Sequence, residues 1–231
     1  DIGDMVRVQR DLGVIGKCTN LDFEKNKNEG VNVCGVISKQ DLRDNKSEYD
    51  FTVSGSAVLN KYKLVGYMNE EETRGMNWIN GKIKRGSVLI KDDSEGKINL
   101  NILSSKSRLT ASIEPKGIHI NVNIKEKSNI NEINQDILHD LDFNANPNIM
   151  YFLAKKQDEA IYNEAMSAIN ASKNRLSADI FGFGDLLYKK HPKEWKQIKE
   201  NWNENFRNLQ INVDVSSSIK HTGILSKSIS Y

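Results

Sequence analysis

The chain has 231 residues, a formal net charge of +2 and 28% charged side chains of both signs. That length buries a core without covalent staples and suits one medium domain with a smaller companion. The near-balance of charge argues against a dedicated nucleic-acid binder, and the lack of any apolar run of about eighteen residues leaves no membrane-spanning segment.

Residues 1–48 mix short apolar runs, such as Val31–Ile37, with polar stretches. They predict a short helix or strand, a loop and one strand ending near Ser38. Lys39–Asp50 is charged and predicts a linker or exposed turn. Val14-Ile-Gly-Lys-Cys18 has the outline of a lipoprotein cleavage box, but Lys17 stands where a small residue is needed and no long apolar run precedes it. Cys18 and Cys34 can pair in an oxidising compartment or remain partly buried thiols.

From Phe51 the patterning sharpens. Phe51, Val53, Gly55 and Ala57 alternate with polar residues, the period of a half-buried strand. Asn60-Lys61 predicts a turn and Tyr62–Tyr67 the returning strand. Asn69 stands three residues before Glu72, a capping-box spacing, and Glu70, Glu71 and Glu72 occupy a first helical turn where the helix dipole favours them. With Gly81 as C-terminal cap, this predicts a helix over Glu70–Asn80. Three alternating segments follow, Ile98–Ile102, Leu109–Ile113 and Ile118–Ile124, with turns at Ser94–Gly96 and Glu114–Gly117. Asn146 and Pro147 open a long helix whose apolar positions are Ala154, Ile161, Ala165, Ala168 and Leu176. A second helix starts at Pro192, with Trp195, Ile198, Trp202 and Phe206 on one face. Leu209, Ile211, Val213 and Val215 mark a last strand. The order predicts an α+β fold, an antiparallel or mixed, curved sheet with helices on one face, and Phe181, Phe183, Trp195 and Trp202 in its core.

Little of this reads as chemistry. Paired carboxylates do acid–base work when burial separates their pKa values, whereas Glu70, Glu71, Glu72 and Arg74 form the solvated first turn of a helix. Gly75, inside that short helix, costs about 1 kcal/mol relative to Ala, a cost that close packing of another backbone would offset. Phe181-Gly-Phe-Gly184 lacks the third glycine of a phosphate cradle and follows a helix; two glycines turning the chain while two Phe rings plug the core is the simpler reading. His119, His139, His191 and His221 show no metal-ligand spacing. Lys189, Lys190, Lys193, Lys196 and Lys199, interleaved with Trp195 and Trp202, read as an amphipathic helix with its Trp face buried, anionic lipid being the minority reading.

One set of residues carries a resemblance. In order, Gly55-Ser-Ala-Val58, Lys63-Leu-Val-Gly66, Glu71-Glu-Thr-Arg-Gly75, Trp78, Ser105-Lys106, Ala178-Asp179, Phe181-Gly-Phe-Gly184, Pro192-Lys-Glu-Trp195, Asn201-Trp202 and Thr222-Gly223 resemble the Ger(x)C family of spore germination proteins. These are the lipoprotein C subunits of nutrient germinant receptors, and the resemblance runs from Phe51 to the end. It implies that residues 1–48 are the tail of a preceding domain plus linker and residues 49–231 the C-terminal germination-protein domain. It implies a non-enzymatic subunit docked on an A subunit and a permease-like B subunit. The place would be the outer face of the spore inner membrane, through an N-terminal lipid anchor upstream of Asp1. No catalytic residue, cofactor, metal or nucleic acid comes with the resemblance. Glu71, Glu72, Thr73, Arg74, Gly75 and Trp78 become candidate interaction residues, and Phe181, Gly182, Phe183, Gly184, Trp195 and Trp202 a structural motif. The alternative is a germinant-binding sensor, with Arg74 or Arg85 holding a nutrient carboxylate.

Overall fold

Alternating apolar and polar side chains build two sheets here. The computed structural model describes residues 2–18, 30–41, 49–91, 97–115, 117–133 and 148–220. The turn expected at Ser94–Gly96, the helix start at Asn146-Pro147, His139, His221 and Thr222-Gly223 lie outside them. A helix α1 (Ile2–Asp11) leads to a three-stranded antiparallel sheet of β1 (Val31–Asp41), β2 (Tyr49–Asn60) and β3 (Lys63–Met68), in that order. After helix α2 (Glu70–Ile79) comes a four-stranded sheet, β4 (Ser87–Lys91), β5 (Lys97–Glu114), β6 (Gly117–Ile133) and β7 (Gln210–Lys220). Between β6 and β7 run α3 (Asn148–Asn170), a π-helical turn Ala171–Leu176, α4 (Phe183–Lys190), α5 (Pro192–Ile198), a 3-10 turn Lys199–Asn201 and α6 (Trp202–Arg207). This long crossover is what lets β7 pair parallel to β6, while the other pairs are antiparallel.

The α+β class holds, with a mixed sheet and α2 and α3 crossing over its inner face. Several boundaries differ from the sequence reading. β1 continues to Asp41 and β2 begins at Tyr49, so Lys39–Asp41 and Tyr49–Asp50 are strand instead of linker. The boundary expected after residue 48 thus falls between two paired strands, Asp41 opposite Tyr49. Along β2 the simple alternation fails at Gly55, whose φ of +76° makes a bulge. Ser56 and Val58, and not Ala57, then face inward. The segments Ile98–Ile102 and Leu109–Ile113 are one strand, because the unpaired Leu103 shifts the register between Ile102 and Ser104. β4 has no counterpart in the sequence reading. The helix expected from Pro192 is broken at the 3-10 turn, and α4 precedes it.

The core lies between the four-stranded sheet and the two long helices. Ile98, Leu100, Ile102, Ile120, Val122 and Ile124 meet Met76, Trp78, Ile79, Leu153, Ile161, Ala165 and Ala168. Phe181 and Phe183 are buried, as expected, and stack with centroids 5.0 Å apart. Trp195 and Trp202 are half-buried.

Candidate functional site

The segment Glu71–Trp78 resolves into separate packing tasks. At its start, Asn69 Oδ1 accepts from the Glu72 amide at 2.8 Å and Glu72 Oε2 accepts from the Asn69 amide at 3.0 Å, a closed capping box. The same Glu72 carboxylate accepts from Arg175 Nη2 at 2.6 Å, while Arg175 Nη1 donates to the Tyr67 carbonyl. Thr73, fully buried, donates to Ser56 Oγ on β2 at 3.1 Å. Arg74 Nε donates to both oxygens of Glu164 on α3, at 3.2 and 3.1 Å, and Trp78 Nε1 donates to Glu164 Oε2 at 2.7 Å. The Arg74 guanidinium also lies 5.9 Å from the Trp78 ring centroid. Asn77, absent from the sequence reading, donates to the carbonyls of Gly13 and Ile15 and ties the N-terminal segment to α2.

Gly75 sits where α2 and α3 cross. A Cβ there would overlap the carbonyl oxygen of Glu164 and lie 2.9 Å from Ala168 Cβ. Close backbone approach is therefore the offset for a glycine inside a ten-residue helix. Thr73, Gly75 and Trp78 are buried within the chain. Of the six residues singled out in this segment, Glu71 is exposed, and Glu72 and Arg74 are partly exposed but paired.

Phe181-Gly-Phe-Gly184 leads into a helix, since α4 starts at Phe183. The anion site that four successive amides create is filled from within. Asp179 Oδ1 accepts from the amides of Phe181, Gly182 and Phe183, and Oδ2 accepts from the Gly184 amide at 2.8 Å and from Trp202 Nε1 at 3.3 Å. Burial pushes the Asp179 carboxyl up, against the pull of the amides and the indole. All of these partners are donors, an arrangement that fits the ionised carboxylate. Gly182 takes φ +76°, and a Cβ at Gly184 would lie 2.9 Å from the Trp195 ring, so that indole closes over the turn.

An open hollow of about 440 Å³ is lined by Gln9, Leu12, Thr52, Glu70, Arg74 and Ser87 among others. Arg74 reaches it already bound to Glu164 and to the Ser87 carbonyl. Arg85 pairs with Asp11 at 2.8 Å. His119 lies 3.7 Å from Glu114, and His191 Nε2 lies 3.1 Å from the Ala111 carbonyl oxygen. Among the described residues no three His, Cys, Asp or Glu side chains gather as a metal site. Lys189, Lys190, Lys193, Lys196 and Lys199 all face solvent around the Trp195–Trp202 pair. Among the described residues no helix is long and apolar enough to cross a membrane. Sequence reasoning missed Glu164, Arg175 and Asn77 as partners of the signature, and nothing in the local pattern marks them.

Against known proteins, the family model described as spore germination B3/GerAC-like, C-terminal, matches residues 54–223. The chain is 28% identical over 177 residues to spore germination protein YndF of Bacillus subtilis (strain 168), covering 74% of this chain and 42% of that protein. Spore germination protein B3 of the same organism is 24% identical over 196 residues, covering 81% of this chain and 49% of its own length. Spore germination protein KC is 22% identical over 183 residues, covering 77% and 43%. The chain thus spans less than half the length of these relatives. The crystal structure of the GerBC protein shares the fold, with a TM-score of 0.73 at 18% identity over 85% of this chain and 58% of that one.

Proposed function

Since the chain belongs to the spore germination B3/GerAC-like family, we propose that it acts in spore germination as a non-catalytic receptor subunit that docks onto the A and B subunits. Its site of action is the outer face of the spore inner membrane, with the whole protein held there by an N-terminal lipid. The observation that carries docking over nutrient sensing is the fate of Arg74, the more buried of the two arginines available to a germinant carboxylate. It is 12% exposed and bound to Glu164, so a nutrient anion would have to displace an internal carboxylate, whereas Arg85, 67% exposed, pairs with Asp11 at the surface. The β2–β3 hairpin, by contrast, presents Leu64 at 51% and Tyr67 at 56% exposure, with Tyr62 and Val65 beside them. An apolar edge of that kind supports an interface.

Calorimetric titration tests this with the soluble part of the cognate A subunit and, separately, with amino-acid germinants. Saturable heat with the subunit and none with the nutrients is the expected result. Tyr67→Ser should then weaken subunit binding by about tenfold or more without moving Tm. Heat from a nutrient alone would make the domain a sensor and end the docking reading.

A further inference from the structure

We propose that Cys18 and Cys34 form an intramolecular redox pair, a disulfide site that clamps the N-terminal segment to the first sheet. Asn32 and Cys34 are two residues apart on β1 and so project from one face of it. Cys18 Sγ donates to Asn32 Oδ1 at 3.7 Å, and the Cys18 thiol is also the hydrogen-bond neighbour of Cys34. The backbones around the pair are in direct contact. A Cβ at Gly16 would meet the Val33 carbonyl at 2.7 Å, and one at Gly35 would meet Ile15 Cβ at 3.2 Å. Ile15 adds a parallel bridge to Gly55, and the Gly55 amide donates to the Val14 carbonyl at 2.8 Å. The two elements are therefore held together before any bond forms, as two cysteines need to be if they are to join without moving the chain.

The chemistry runs through thiol–disulfide exchange with a low-molecular-weight disulfide. Burial, then the hydrogen bond and charge of Cys18, push the Cys34 thiol up to about 12. One of the two cysteines, as its thiolate, displaces one thiolate from the small disulfide and becomes a mixed disulfide. The other gives up its proton and attacks the protein sulfur of that mixed disulfide, expelling the second small thiolate. The protein loses two protons and two electrons, and the small disulfide is reduced to two thiols. The clamp would fix a segment that already holds α2 through Asn77 and whose Asp11 carbonyl accepts from the Lys84 amide at 3.2 Å.

The test incubates the whole chain with oxidised glutathione, denatures it in maleimide and counts labelled thiols by intact mass. The expected product is a monomer with neither thiol labelled and no retained glutathione, melting roughly 6–12 °C above the reduced chain. In Cys34→Ser and in Cys18→Ser the remaining sulfur, deprived of its resolving partner, should be trapped as a stable glutathione adduct. A wild-type chain that keeps either label, retains glutathione or links to a second copy overturns the proposal. If a variant does not fold, the wild-type count decides.

Discussion

The two halves of α3 treat buried polar groups in opposite ways. Toward its C-terminal end, Glu164 is surrounded by donors, with Arg74 and Trp78 both on its carboxylate, and Gly75 lets the helix backbones touch. Toward its N-terminal end, Gln157 and Asp158 overlie the far part of β6. There Glu126, 1% exposed, has Ser128 and Gln157 near it but no well-formed hydrogen bond on either oxygen. Ser128 donates to Gln157 Oε1 at 3.0 Å and the Ser217 amide donates to Asp158 Oδ1, but Gln157 Nε2 and Ser217 Oγ stay unmatched. Burial, with the Asp158 charge added, pushes the Glu126 carboxyl up to about 8, against the pull of Ser128 and Gln157. One half of the helix uses a carboxylate to fix a crossing; the other keeps a carboxyl in the core that is tolerated as the neutral acid.

The largest effect comes from breaking the tight crossing. Gly75→Ala puts a methyl on the Glu164 carbonyl and must push α2 off α3. The expected loss is about 3 kcal/mol or more, read from urea unfolding, or failure to fold. A loss below about 1 kcal/mol would show that the helices are not held that closely.

The loose half should respond with the opposite sign. Glu126 holds its proton in the folded state up to about 8, against 4.5 for the ordinary carboxyl of the unfolded chain. The folded chain therefore binds more protons than the unfolded chain between those values, and stability falls as pH rises through that window. Below it ionisation adds no cost; above it the full cost applies. Glu126→Gln should remove this slope and gain roughly 4 kcal/mol at pH 8, with little change at pH 4. Equal slopes for the two proteins would place the carboxyl in a better-solvated setting than its burial indicates.

That same contrast explains what could be read in advance. Ile118–Ile124 was legible as a strand because every inward position is apolar. β6 runs on to Ile133 and keeps the same inward phase as far as Ser128, but Glu126 and Ser128 occupy buried positions and hide it. Bulges hid more: Leu103 splits one long strand into two apparent ones, and Gly55 reverses which side of β2 faces in. Ser87–Lys91 has three adjacent apolar residues, which show no period at all. The α2 capping box was legible because both of its members lie within four residues. Glu164 and Arg175 act on that helix from about ninety and a hundred residues away, and only the folded chain brings them there.

A smaller effect tests whether the Glu164 clamp is electrostatic. Glu164→Gln removes the charge facing Arg74, which is 12% exposed on its side chain, yet leaves an acceptor for Trp78. A loss of about 1–2 kcal/mol is expected, with a shift in Trp fluorescence. An unchanged spectrum together with a smaller loss would reduce the clamp to packing alone.

The smallest effect concerns the outer pair of the crossing, Arg175 and Glu72. The Arg175 side chain is 50% exposed and the Glu72 side chain 14%, so solvent screens the attraction and its coupling should stay near 0.5 kcal/mol. Arg175→Ala also removes a donor from the Tyr67 carbonyl, but water can replace it at that exposed edge. Glu72→Ala gives up more, because the Asn69 amide loses its capping partner as well, a further cost of about 1 kcal/mol. A double-mutant cycle separates the two contributions. It should show Glu72→Ala as the costlier single change and a coupling that shrinks with added salt. A coupling of about 2 kcal/mol that survives salt would mean this pair is as shielded as Glu164, and that the whole face of the crossing is drier than its exposure indicates.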